Sequence, residues 1–335
     1  MYFVSDNNAG AHPAVLAALA AANNGHARSY GADPVTERAE ALFKRHFGEH
    51  AETVFAVTGT AANVIALAAM LRPYDTALCA DSAHVFTDEC GAPERFIGAR
   101  LTAVPTADGR LTPAQVVAFA TSPYRPHGQR PRAVTVAQPT ELGTLYSAAE
   151  LRALAETAHA YGLLLHVDGA RLANAAAALG TGLGELAEGA DVVSFGGTKN
   201  GALAAEAVVF LDPGLAADRA LLQKQSMQLL AKARFTAAQF VALLDGDLWR
   251  TNAANANATA VRLAGIVSAL PGVKLAHPVQ TNAVFAHLPE PALAALEGYG
   301  SRWGSGTLVR FMTAFDTTDV DVDRFAAILH AAFTR

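Results

Sequence analysis

Short, continuous apolar runs alternate with longer runs of helical periodicity through the first two thirds of the chain. "TVFAV" (53–57) leads into "AANVIALAAML" (61–71), and "TALCA" (76–80) and "RLTAVP" (100–105) precede a helical "LTPAQVVAFA". "RAVTVAQ" (132–138) is followed by "SAAELRALAETAHAYG" (147–162), in which Ser147 and Glu150 have the spacing of a capping box. "LLLHV" (163–167), "DVVSF" and "EAVVFL" complete the series. Strands that are apolar throughout, rather than at every second position, are buried on both faces. The pattern therefore predicts an α/β fold, a mostly parallel sheet flanked by helices.

Beyond Leu211 the pattern changes to a long helix through "LLQKQSMQLLAKARFTAAQFVALL" and another through "ANATAVRLAGIVSAL". "GVKLAH", "NAVFAHL" and "TLVRFMTAF", with helices between and after, read as a small α+β unit. The expected division is an N-terminal segment 1–22, a large domain 23–245 and a small C-terminal domain 246–335. A chain of 335 residues exceeds what one core usually organises, which agrees with two domains.

Composition narrows the function classes. With 52% hydrophobic and 16% charged residues the chain can bury a large core. A net charge of −5 shows no basic excess, which argues against a nucleic-acid partner. Cys79 and Cys90 are too few for a disulfide framework and fit a reducing compartment. No signal peptide or membrane-length apolar run is visible, so a cytoplasmic location with no membrane partner is expected.

Ligands of open α/β sheets bind beyond the carboxyl ends of the strands, so polar residues just after each apolar run carry the candidate chemistry. Thr58-Gly59-Thr60 opens a helix and offers free backbone N–H groups to a phosphate, although for this segment taken alone a plain Thr N-cap is the better reading. Asp168 in "LLLHVDGAR" follows a buried strand and needs a cation, either Arg171 or a protonated ring nitrogen. Lys199 in "SFGGTKNG" stands on a glycine-rich strand end, where a solvated lysine has no reason to be; a desolvated amine there can form a Schiff base with an aldehyde. His84 follows the strand at 76–80, with Asp88, Glu89 and Glu94 nearby in expected turn or helix-cap roles. Arg310, inside an apolar strand, needs an anion, and its planar fork suits a carboxylate. No CxxC, HExxH or GxSxG occurs, so neither a metal site nor a serine hydrolase is expected. A phosphate cradle, an acid for a ring nitrogen, an aldehyde-binding lysine and a carboxylate-binding arginine together describe pyridoxal 5′-phosphate (PLP) with an amino-acid substrate.

"SDNNAGAHPAV", "YGADPVTERAE", "VTGTAANV", "HVDGARLANA" and "SFGGTKNG" together resemble the low-specificity L-threonine aldolase family of PLP enzymes. The resemblance runs from Ser5 to about Gln239 and more weakly to Arg310. It implies the aspartate-aminotransferase (type I) fold, with active sites shared in a homodimer or homotetramer. It also implies retro-aldol cleavage of L-threonine, L-allo-threonine and related β-hydroxy-α-amino acids such as phenylserine. Carried over, Lys199 would hold PLP, Asp168 would pair with the pyridine nitrogen, Gly59 and Thr60 would bind the phosphate, and His84 would stack on the ring. Arg171 would lie against the cofactor's oxygen edge, and Ser5, Arg171 and Arg310 would take the substrate carboxylate. Tyr30, Lys224 and Arg234 would reach a neighbouring subunit's site. Where many members carry a histidine-containing "THNG", this chain has "QPTELGTLY". The expected base for the substrate hydroxyl is then His84 rather than Glu141. Racemisation, transamination or β-elimination on the same fold is the alternative, and a non-enzymatic binding protein a more distant one.

Overall fold

A computed structural model describes residues 2–122, 127–304 and 306–333. Its central sheet has seven strands, β1 (Glu52–Ala56), β2 (Asp75–Ala80), β3 (Arg100–Val104), β4 (Arg130–Ala137), β5 (Leu164–Gly169), β6 (Val192–Gly196) and β7 (Glu206–Phe210), in the order β1-β7-β6-β5-β4-β2-β3. β7 alone runs antiparallel, pairing β6 on one side and β1 on the other. Helices cover both faces, as the unbroken burial of β2, β6 and β7 requires. Phe43, Phe55, Phe195 and Phe240 meet in one aromatic cluster, which fastens the helices Pro34–Phe47 and Arg234–Leu244 to the sheet.

A second, antiparallel sheet of order β10-β11-β9-β8 is built from β8 (Lys274–Leu275), β9 (Ala283–His287), β10 (Ser301–Arg302) and β11 (Leu308–Met312), with its own core of Val284, Phe311, Phe325 and Leu329. The 21-residue helix Leu248–Ser268 belongs to both cores, burying Trp249 and Ala253 in the first and Leu263 and Val267 in the second. The N-terminal segment also divides. Phe3 enters the small core, while Val15, in the helix Pro13–Ala22, enters the large one.

The helix expected across 221–244 is two helices, Arg219–Gln225 and Arg234–Leu244. The break is held by tertiary bonds. Gln223 donates to the carbonyl of Phe55 at 2.8 Å, Gln228 accepts the N–H of Val57 at 3.1 Å, and Met227 takes φ 63° between them. Helical periodicity is blind to such anchoring.

Candidate active site

The parallel strands β1, β2, β4, β5 and β6 end on one edge of the sheet, and the antiparallel β7 begins there. That edge carries a pocket lined by Gly59, His84, Glu141, Asp168, Lys199 and Glu206, among others. It lies beside an open cleft of about 820 Å³ onto which Ser5, Arg171 and Arg310 face, and to which His84, Glu141 and Lys199 also contribute.

Lys199 sits in a single 3-10 turn, Thr198–Asn200. The turn is pinned from the long helix: Asn200 donates to the carbonyl of Trp249 at 3.0 Å, and Asn252 donates to the carbonyl of Asn200 at 2.8 Å. The two glycines before it are sterically required. A Cβ on Gly196 would stand 2.3 Å from the carbonyl oxygen of Ala170, and one on Gly197 2.7 Å from that of Ala205. The Arg171 guanidinium and burial both hold the Lys199 amine below its ordinary pKa, against the pull of Asp6, Asp168 and Glu206.

Asp168 is 8% exposed and forms no ion pair with an arginine among the described residues. It accepts from Asn63 Nδ2 at 2.8 Å and from the N–H of Ala170 at 3.0 Å. The Asp168–Arg171 pair offered by the sequence is therefore corrected: Arg171 turns its fork to Asp6, with Nε and Nη2 at 2.6 and 2.9 Å from the carboxylate. Asp6 also accepts from Asn282 at 3.0 Å, and these contacts bring its pKa down to about 2 despite burial.

His84 opens the short helix His84–Thr87, and its Nδ1 meets Glu89 at 2.9 Å. That bond raises the imidazole pKa, with the nearby Asp168 adding to it against burial. Glu89 stands in a turn, as expected, its carbonyl accepting the N–H of Ala92 at 2.9 Å, but its carboxylate faces the pocket. It is 4% exposed and also accepts from Asn63 at 2.7 Å, so Asn63 ties Glu89 to Asp168. Asp88 does lie at a helix end, accepting from Thr87 at 2.9 Å, and Glu94 lies in the first turn of the helix Ala92–Ile97.

Gly59 borders the pocket at the start of the helix Gly59–Met70, with Thr60 next to it; Thr58 caps that helix on the N–H of Ala61. Ser5 accepts the N–H of Asn7 at 3.1 Å. Arg310, on β11, lies 5.1 Å over the Trp303 ring; its Nη2 reaches the carbonyl of Val4 at 3.4 Å, and its Nε is buried with no hydrogen-bond partner among the described residues. Tyr30, Lys224 and Arg234 are elsewhere in the single chain and border neither pocket nor cleft. Lys224 Nζ is 5.8 Å over the exposed Tyr30 ring, and Arg234 reaches the carbonyl of Gly25.

Asp6, Asn63, Glu89 and Glu206 went unread as site residues in the sequence. Asp6 and Asn63 stood inside quoted motifs, but their partners are far along the chain. Glu206 is a carboxylate at the head of an otherwise apolar strand, and burial pushes it up to about 7.

A buried lysine across a pocket from a strand-end aspartate, on a seven-stranded sheet of this order, defines the class of α/β enzyme to which PLP-dependent type I proteins belong. The β-eliminating lyase family model matches residues 2–291. The chain is 45% identical over 329 residues to a low-specificity L-threonine aldolase of Pseudomonas aeruginosa, covering 96% of this chain and 94% of that one. A Saccharomyces cerevisiae protein of the same description is 28% identical over 77% of this chain. Among solved structures, a Leishmania major threonine aldolase superposes with TM-score 0.92 at 29% identity, covering 98% of both chains. An aspartate aminotransferase of Rhizobium meliloti, at 17% identity and TM-score 0.69, shares the fold. The chain belongs to the low-specificity L-threonine aldolases of the β-eliminating lyase family and is a lyase. No helix among the described residues is long and apolar enough to cross a membrane.

Proposed function

We propose that the protein cleaves L-threonine, L-allo-threonine and related β-hydroxy-α-amino acids, phenylserine among them, to glycine and an aldehyde, with PLP carried on Lys199. The observation that carries this reading is the buried Lys199 amine, held below its ordinary pKa, in one pocket with the strand-end Asp168.

The residues fit the cofactor. Asp168 is buried with only neutral donors, Asn63 and the Ala170 N–H, so its charge is available to a protonated ring nitrogen. Space around Gly59 is open, with nothing within 4 Å of where a Cβ would stand, at the positive end of a 12-residue helix that suits a phosphate together with Thr60. His84, fixed through Nδ1 by Glu89, borders the same pocket and would cover the ring. When bound, PLP supplies the electron sink for the pair left on Cα when the Cα–Cβ bond breaks. Lys199 is the amine that holds the aldehyde, and Asp168 keeps a proton on the ring nitrogen. Arg310, with its unpartnered Nε, binds the substrate carboxylate beside Ser5. Arg171 contributes from the same cleft through Nη1, which lies outside its pair with Asp6.

We take residues 23–245 as a large domain and 246–335 as a small one, with the substrate bound between them. The protein acts in the cytoplasm as a homodimer or homotetramer, in which Tyr30, Lys224 and Arg234 serve a neighbouring subunit's site. The exposure of Tyr30 and Lys224 in the single chain, next to exposed Met227 and Leu230, supports this.

The deciding experiment incubates purified holoenzyme with the threonine isomers and phenylserine and measures aldehyde and glycine. Stoichiometric release of both is expected. 2-Oxobutyrate or phenylpyruvate with ammonia, a 3-hydroxy-2-oxo acid, or the Cα epimer of the substrate in their place would overturn the reading in favour of elimination, transamination or racemisation respectively.

A further inference from the structure

The retro-aldol step needs a group to take the proton of the β-hydroxyl, and the pocket holds an acid that the roles above leave unused. Glu141 stands on the loop after β4. That loop is rigid: Gln138 exchanges two hydrogen bonds with the backbone of Tyr146, Thr140 pairs with Thr144 through backbone and hydroxyl, and Gly143 packs against Ala283. The Glu141 carboxylate is thereby turned inward, where Oε1 accepts the backbone N–H of His84 at 2.7 Å. It is one of the residues that border both the inner pocket with Asp168 and the outer cleft with Arg310. Unlike Asp6 and Glu89, it is in none of the ion pairs among the described residues.

Resting on the retro-aldol reading, we propose that Glu141 is the base that accepts the β-hydroxyl proton as the Cα–Cβ bond breaks. The O–H bond breaks towards the carboxylate and its electrons form the aldehyde C=O. The Cα–Cβ pair stays on Cα, which later gains a proton to become glycine. One proton is lost from oxygen and one gained at carbon, so Glu141 must discharge once per turnover, through the solvent-open cleft that it also borders. His84 is the weaker candidate for this role. Its Nδ1 is bonded to Glu89, which favours the imidazolium, a form with no lone pair to accept a proton. Burial pushes Glu141 up to about 7, against the His84 N–H bond and with help from Asp168, which matches a base working near neutral pH. The other titratable groups whose fields couple to Glu141 are Arg171, Tyr146 and Cys79.

The test compares Glu141→Gln, whose amide oxygen can still accept the His84 N–H, with wild type in two reactions of the PLP-loaded enzyme. One is threonine cleavage followed across pH. The other is exchange of the glycine α-proton with D2O followed by NMR, which involves no hydroxyl. Visible cofactor absorbance reports occupancy in both. We expect cleavage to fall by more than tenfold, on the order of 100-fold, with glycine exchange and absorbance retained. Wild-type kcat/KM should fall as pH drops below about 7, where the carboxylate gains its proton, and the variant should lack that limb. A cleavage loss under tenfold, a parallel loss of exchange, or an acid limb that persists in the variant would overturn the assignment. Should Glu141→Gln not fold or not bind cofactor, Glu141→Asp, with the carboxylate one methylene back, must show the same divergence of cleavage from exchange. Wild type that exchanges glycine but releases no aldehyde would instead overturn the retro-aldol reading itself, and this assignment with it.

Discussion

At the scale of single residues, the reactivity of the site comes from desolvation and from which charges are left without a partner. Lys199 differs from the other lysines in both respects. Lys44 pairs with Glu52 at 3.3 Å and Lys224 lies over Tyr30, whereas Lys199 is half-buried, its amine desolvated near Arg171, whose like charge disfavours its protonation. An amine so placed is more often neutral, hence nucleophilic towards an aldehyde. Borohydride reduction of the PLP-loaded enzyme followed by peptide mapping is therefore expected to label Lys199 alone; label on Lys44, Lys224, Lys232 or Lys274 would refute the assignment.

At the scale of elements, the site depends on how closely two strand ends approach. β5 and β6 are adjacent and parallel, and the turns leaving them pass so near that Gly196 tolerates no side chain against Ala170. Gly196→Ala must push the Lys199 turn away from the Asp168 strand. The expected outcome is a loss of about 1–3 kcal/mol in stability and weaker PLP binding, read by thermal denaturation and by titration of the visible absorbance. An unchanged Tm together with unchanged PLP affinity would show that the contact relaxes freely. The two-helix break between residues 225 and 234 belongs to this scale as well. Gln223 and Gln228 are held by Phe55 of β1 and Val57 just beyond it, tertiary bonds that outweigh the helical propensity of the intervening residues.

At the scale of the whole molecule, the Asp6 carboxylate joins the N-terminal segment, Arg171 beyond β5 and Asn282 before β9. Its pKa in the folded chain, about 2, lies below the ordinary 3.8. The stabilisation is thus complete above 3.8 and disappears as pH falls through about 2. Urea unfolding of wild type and Asp6→Asn should show a stability gap at pH 5 that narrows by roughly 2 kcal/mol at pH 2. A gap of the same size at both pH values would mean that the pair does not titrate with unfolding. His166 works in the same direction. It is buried between Thr135 and Ser194, and burial holds its imidazole well below the ordinary value, so folding resists its protonation as the pH falls.

The sequence by itself determined the layer architecture, the places where strands end, the residues that stand there (Lys199, Asp168, His84 and Gly59) and Arg310 within its strand. Each of these is announced locally, by a polar residue directly after a buried run, by glycines that no packed strand would otherwise keep, or by a charge inside an apolar strand. Only the tertiary structure decided how their charges are matched. Arg171 is three residues from Asp168 yet pairs with Asp6, 165 positions away, and Asn63 reaches Asp168 across 105. Glu89 keeps its expected place in a turn but gives its carboxylate to His84 and Asn63, and Glu206 came to the Lys199 pocket because β7 runs antiparallel and starts where its neighbours end. Strand ends follow from periodicity, which is a property of neighbours in the chain. The partner of a buried charge follows from desolvation, which forces it onto whichever group the packing brings within reach.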